Sequence, residues 1–171
     1  MEYTWYIKDT DKKQPGNLKS RIAQLVLATF PYYPGSKLAD NKEFCRLCFT
    51  FMKDYSLLNE NNVAFLQDFY KCINEKIAGL KVDDNKFCVL RESIDSDEAK
   101  IRYYSDCFVE CNGKKYYVLN HWFLKDSTDQ GKWGFVKWII KQTNTDNDFM
   151  KLMEELYNEL YKVKQKIDKA N

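Results

Sequence analysis

The chain is poor in the residues that interrupt structure. Its 171 residues include three prolines and six glycines, far from the composition of a disordered or linker-rich chain. It has one histidine, which excludes metal sites built on several imidazoles and leaves only His121 as a lone imidazole base. Net charge is also nearly absent. The 27 Lys and Arg against 25 Asp and Glu give +2, too little to steer the whole molecule toward a polyanion, so an anionic partner has to meet a local patch. Long apolar runs are missing too: Leu25 to Ala28 and Tyr116 to Leu119 are far too short to span a bilayer. Met1 to Ile7 has no basic segment leading into an apolar one. The expectation is a soluble, cytoplasmic chain without membrane association.

What is present is material for a core. Apolar residues make up 44 % and aromatics 16 %, enough for one domain of this length. The six cysteines, at 45, 48, 72, 88, 107 and 111, lie inside apolar runs and read as reduced, buried thiols rather than a disulfide framework.

Periodicity predicts an α+β fold: three N-terminal helices, a small antiparallel sheet with an Asn-Gly hairpin, then a short helix and a long C-terminal amphipathic helix. Tyr3, Trp5 and Ile7 alternate as in a strand. Asn17 can cap a helix through Ile22, Leu25 and Val26 that Pro31 stops. Asp40 and Glu43 have capping-box spacing before the stripe Phe44, Leu47, Cys48, Phe51, Met52 and Tyr55. Asn59 can cap a third helix running through Val63, Leu66, Phe69 and Ile73 to Ile77, with Gly79 at its end. Phe87 to Leu90 and Ile101 to Tyr104 are β-rich. Asn112-Gly113 suits a type I′ turn, in whose register Glu110 faces Lys115 and Phe108 faces Tyr117. Trp133, Val136, Ile139 and Ile140 suggest the short helix, with Lys137 and Lys141 one turn apart on its polar side. Phe149, Met153, Leu156, Leu160, Val163 and Ile167 follow the 4-3 spacing of a coiled-coil seam. The division expected is a single α+β domain over 1–145 and an amphipathic helix over 146–171, which either pairs with another helix or folds back on the core.

Few residue groups point to chemistry. Cys45, Cys48, Cys107 and Cys111 could supply four thiolates to zinc, but positions 107 and 111 would stand about 13 Å apart on a strand, so no metal or cofactor is expected. Glu98-Ala-Lys100 has the residue types of a metal-dependent nuclease without its Pro-Asp, and no nucleophile motif accompanies His121. The better signal is a mixture of bases and aromatics around the hairpin: Arg102, Tyr104, Lys114, Lys115, Tyr117 and His121, followed by Lys137 and Lys141. Aromatic faces can stack on bases while Lys and Arg meet phosphates.

The stretch from Asp68 to Trp138 contains Asp68-Phe-Tyr-Lys-Cys72, Ile101-Arg-Tyr-Tyr104, Gly113-Lys-Lys-Tyr-Tyr-Val118, Asn120-His-Trp122 and Phe135-Val-Lys-Trp-Ile139. It resembles uncharacterised bacterial accessory domains linked to restriction and mobile-element systems, with His121 where their pattern favours Gln. The resemblance implies a recognition or adaptor module and carries over no catalytic residue. Two functions therefore stay open. One is a non-catalytic nucleic-acid-associated module acting through the basic-aromatic hairpin region. The other is a protein-interaction module, an inhibitor or adaptor, or a homodimer, acting through Phe149, Met153, Leu156, Leu160, Val163 and Ile167 of the terminal helix.

Overall fold

The computed structural model describes residues 3–7, 16–30, 42–69, 88–92, 94, 101–120 and 131–170. They form β1 (Thr4–Ile7), α1 (Leu18–Ala28), α2 (Lys42–Asp54), α3 (Glu60–Asp68), β2 (Leu90–Arg91), β3 (Tyr103–Cys111), β4 (Lys114–Leu119), α4 (Lys132–Gln142) and α5 (Asn147–Ala170). The chain is α+β: five helices and one four-stranded antiparallel sheet, in the order β1-β3-β4-β2, among the described residues.

Local chemistry starts the helices. The Asn17 side-chain oxygen accepts from the Ser20 amide at 2.8 Å, and that of Asn59 accepts from the Asn62 amide at 2.9 Å, each satisfying a first-turn donor that has no helical partner. Asp146 does the same for α5, accepting from the Phe149 amide at 2.7 Å, and its charge suits the positive end of the helix. α3 is shorter than its periodicity suggests. Phe69 turns to extended backbone (ψ 133°), and its carbonyl accepts from the Val89 amide at 3.1 Å. The helix thus ends in a hydrogen bond to the segment leading into β2. The remainder of that predicted helix, through Ile77 and Gly79, lies outside the described residues, as do Asp40 and His121.

β3 and β4 meet at Asn112-Gly113, where φ is +53° and +78°, values that Asn and Gly tolerate and most side chains do not. Glu110 stands opposite Lys115 and Phe108 opposite Tyr117. The hairpin is flanked on both sides. β1 pairs with β3 on one side and β2 with β4 on the other, so the hairpin strands are the centre of the sheet. A bulge between Tyr103 and Phe108 shifts the register.

One buried cluster joins helices and sheet. Ile22, Leu25 and Val26 of α1, Phe44, Cys48, Phe49 and Met52 of α2, Leu66 of α3 and Phe135, Val136 and Ile139 of α4 meet Ile7, Cys107 and Val118 of the sheet. Phe135 lies among the rings of Phe44, Phe49 and Phe69 at 6.2, 6.5 and 5.4 Å. Two arginines link layers: Arg21 of α1 reaches Asp54 of α2 at 2.7 Å, over the rings of Phe51 and Tyr55, and Arg46 of α2 reaches Asp106 of β3 at 3.0 Å. Both guanidiniums are largely buried, where pairing offsets the cost of leaving water.

The first half of α5 belongs to this core. Phe149, Met153, Tyr157 and Leu160 are buried, α5 packs along α1, and Tyr157 stacks on Trp133 of α4 at 4.5 Å and tilts against Phe30 at 5.2 Å.

Candidate functional site

In an antiparallel pair, directly opposed side chains share a face. Ile7 opposes Cys107, Trp5 opposes Val109, which in turn opposes Tyr116, and Leu90 opposes Val118. This side is buried against the helices. The opposite side carries a continuous row, one residue from each strand: Tyr6, Phe108, Tyr117 and Arg91. A second row beside it holds Thr4, Glu110 and Lys115.

The row is a stack of rings. Tyr6 lies against Phe108 with centroids 4.9 Å apart and planes 21° apart, and Phe108 meets Tyr117 at 5.6 Å. The Lys115 ammonium sits 5.0 Å from the Phe108 ring centre, within the range of a cation–π attraction. The stack ends at the sheet edge in Tyr6, which is 46 % exposed. At the other end the Arg91 guanidinium hydrogen-bonds the Tyr103 hydroxyl. That hydroxyl also donates to the Cys88 carbonyl at 2.6 Å and accepts from the Cys88 amide at 3.0 Å. Tyr103 opposes Leu119, and both are buried. The same face is therefore sealed at its Tyr103 end and accessible at its Tyr6 end.

The residues expected to form one basic-aromatic patch are divided by this geometry. Lys115 and Tyr117 share the ring-bearing face. Lys114 is exposed but opposes Cys111, on the other parity, at the hairpin tip. Tyr104 cannot be a stacking platform for a ligand: it is buried, and the Arg46 guanidinium of α2 already covers its ring at 4.5 Å. The Arg102 carbonyl accepts from the Asn120 amide at 2.8 Å, just ahead of β3. Lys137 and Lys141 are on α4, which packs among α1, α2 and α3, and the Lys137 ammonium lies 5.7 Å from the Trp133 ring centre. His121 is outside the described residues.

The terminal-helix residues divide as well. Phe149, Met153 and Leu160 are spent on the core, Leu156 is half-buried and Val163 is 36 % exposed; the Ile167 side chain is outside the described set. Leu152, not singled out by the 4-3 spacing, is 53 % exposed.

Cys45, Cys48, Cys107 and Cys111 are buried, reduced thiols. Burial pushes the Cys45 and Cys48 thiols far above the ordinary range, although the nearby Lys132 ammonium opposes this. Such thiols are poor nucleophiles. Among the described residues no three His, Cys, Asp or Glu side chains are grouped to hold a metal ion, and no helix is long and apolar enough to cross a membrane.

The sequence pattern does not reveal Tyr6, the place of Phe108 in the middle of the ring stack, or Arg91. Strand alternation does place Tyr6 opposite in face to Tyr3, Trp5 and Ile7. Its alignment with Phe108 depends on pairing between segments about a hundred residues apart, which no local pattern encodes. Comparison with family models, with curated proteins and with solved structures gives no match for this chain.

Proposed function

We propose that the chain is a non-catalytic nucleic-acid recognition module that takes unpaired bases on the ring-bearing face of its sheet. The observation that carries this reading is the cross-strand stack Tyr117–Phe108–Tyr6, which ends in an exposed ring at the sheet edge. An unpaired base continues such a stack without regard to its identity, because every base has a π-face. Lys115 beside the stack and Lys114 at the hairpin tip supply positive charge for phosphates. Duplex DNA fits less well, since its bases are already stacked and its grooves call for a protruding helix or ribbon. The resemblance of Asp68 to Trp138 to accessory domains of restriction and mobile-element systems accords with a recognition role in bacterial defence or a mobile element.

The test is fluorescence anisotropy with labelled oligo-dT and oligo-U at low salt. Tyr6→Ala is expected to weaken binding by about 1–3 kcal/mol, the worth of one stacked base. Lys115→Gln should reduce the salt slope by about 0.7, the share of one phosphate neutralised on a single strand. Absence of binding by the unaltered protein at low salt, or equal affinity of Tyr6→Ala, refutes the proposal.

A further inference from the structure

α5 carries an apolar strip that the described residues cover only in part. Leu152 (53 % exposed), the half-buried Leu156 and Val163 (36 % exposed) recur at i, i+4 and i+11, which aligns them along one side of a helix. The strip runs beside the inward seam of Phe149, Met153, Tyr157 and Leu160: the half-buried Leu156 also packs against the core, while Leu152 and Val163 extend the apolar side toward solvent. Beyond Leu160 the helix makes little use of the domain: residues 162–166 are all exposed.

The charges on this helix are segregated to a degree that the helix dipole does not require. Its first half holds Asp148, Glu154 and Glu155 against Lys151 alone, and its second half Lys162, Lys164, Lys166 and Lys169 against Asp168 and Glu159, the latter paired with Lys162 of its own helix at 3.2 Å. Dipole effects act within the first and last turns, whereas Glu154, Glu155, Glu159 and Lys162 lie in the middle. A helix divided in this way complements a reversed copy of itself. An aligned copy would set acid against acid and base against base.

We propose that two copies of this chain pair through α5 in antiparallel orientation, about a two-fold axis near Tyr157 and Asn158. That axis sets Leu152 of one copy opposite Val163 of the other and brings the two Leu156 side chains together across the centre. It also places Asp148 beside Lys166 and Glu155 beside Lys162 of the second copy. The pairing is isologous, so it closes at two subunits rather than growing into a fibre. The strip is short and the charges are exposed, so the dimer forms reversibly and weakens with salt. The interface lies on the helices and does not depend on the nucleic-acid reading of the sheet.

Sedimentation equilibrium of the full chain tests this. The unaltered protein should show a monomer–dimer equilibrium at low salt that shifts to monomer as salt is raised. Glu155→Lys alone and Lys162→Glu alone should each raise the dissociation constant about tenfold, whereas an equimolar mixture of the two variants should recover to within about twofold of the unaltered protein, since each then faces its opposite charge. Orientation has its own readout: Leu152→Cys mixed with Val163→Cys should form the crossed disulfide faster than either variant forms its own. Both positions are exposed, so circular dichroism should remain that of the unaltered protein. A monomer at every concentration and salt, a mixture no tighter than its parts, or faster 152–152 cross-linking overturns the proposal.

Discussion

The two sides of β3 share one backbone and differ in chemistry. Toward the helices stand Cys107, Val109 and Cys111, all small and all buried. Toward the other side stand Phe108 and Glu110, in rows with Tyr6, Tyr117 and Lys115. The first set removes apolar area from water at modest volume, and Cys107 joins the cluster on which the helices pack. The second set is larger than closing the fold requires. An edge-strand tyrosine left 46 % exposed adds little to the core and much to a surface. The contrast separates a packed side of the strand from a side that keeps rings at the surface.

The strongest way to break the contrast is to exchange the demands of the two sides. Val109→Asp puts a carboxylate into a fully buried site between Trp5 and Tyr116, neither of which can offset its charge. The expected loss is more than about 4 kcal/mol, enough to unfold many domains. Tyr6→Ala, across the same sheet, removes a cross-strand ring pair and is expected to cost below about 1 kcal/mol. Urea denaturation of both variants checks the pair. Similar losses would mean that the ring-bearing side is as structural as the helix-covered one.

Tyr103 sharpens the comparison because it lies on the ring-bearing parity and yet is buried. Burial pushes its hydroxyl above the ordinary tyrosine range, the neighbouring Cys88 adds to this, and Arg91 opposes it. A folded-state pKa above the unfolded one means that the neutral hydroxyl contributes stability that is complete below about pH 10 and is lost as pH rises further. Cys45 and Cys48, also raised by burial, follow the same sign from about pH 8.5 upward. Tyr103→Phe is expected to lose about 1–2 kcal/mol at neutral pH, since the Cys88 amide and carbonyl forfeit their shared partner. The variant should also show a shallower decline above pH 10. Thermal melts from pH 7 to 11 measure both effects.

How much of the molecule was legible depended on the range of the interaction. The caps Asn17 and Asn59, the stripe of α2 and the Asn112-Gly113 register are written within a few residues of chain, and the structure has them at those positions. The candidate site is written across strands. Tyr117 could be read as half of a hairpin pair with Phe108, but extending the row to Tyr6 and Arg91 needs the sheet order β1-β3-β4-β2. Tyr104 departs from its expected face for a related reason. A bulge between Tyr103 and Phe108 breaks strict alternation, so its ring falls under Arg46 rather than beside Tyr117. The seam of α5 was legible as apolar; which part of it the domain itself would cover was not, because that is set by where α1 and α4 lie.

The hairpin tip belongs to neither side, and its effect is expected on stability alone. Gly113 has φ +78°, and a Cβ built there meets nothing within 4 Å. Gly113→Ala therefore costs backbone strain alone, about 1–2 kcal/mol, with no packing penalty. β1 and β2 hold the two hairpin strands from outside, so the pairing of Phe108 with Tyr117 should persist and oligonucleotide affinity should stay unchanged while the melting temperature falls by a few degrees. A drop in affinity in this variant comparable to that of Tyr6→Ala would show that the turn itself, with Lys114 and Lys115 behind it, touches the ligand, and would move the recognition surface from the stack of rings to the tip.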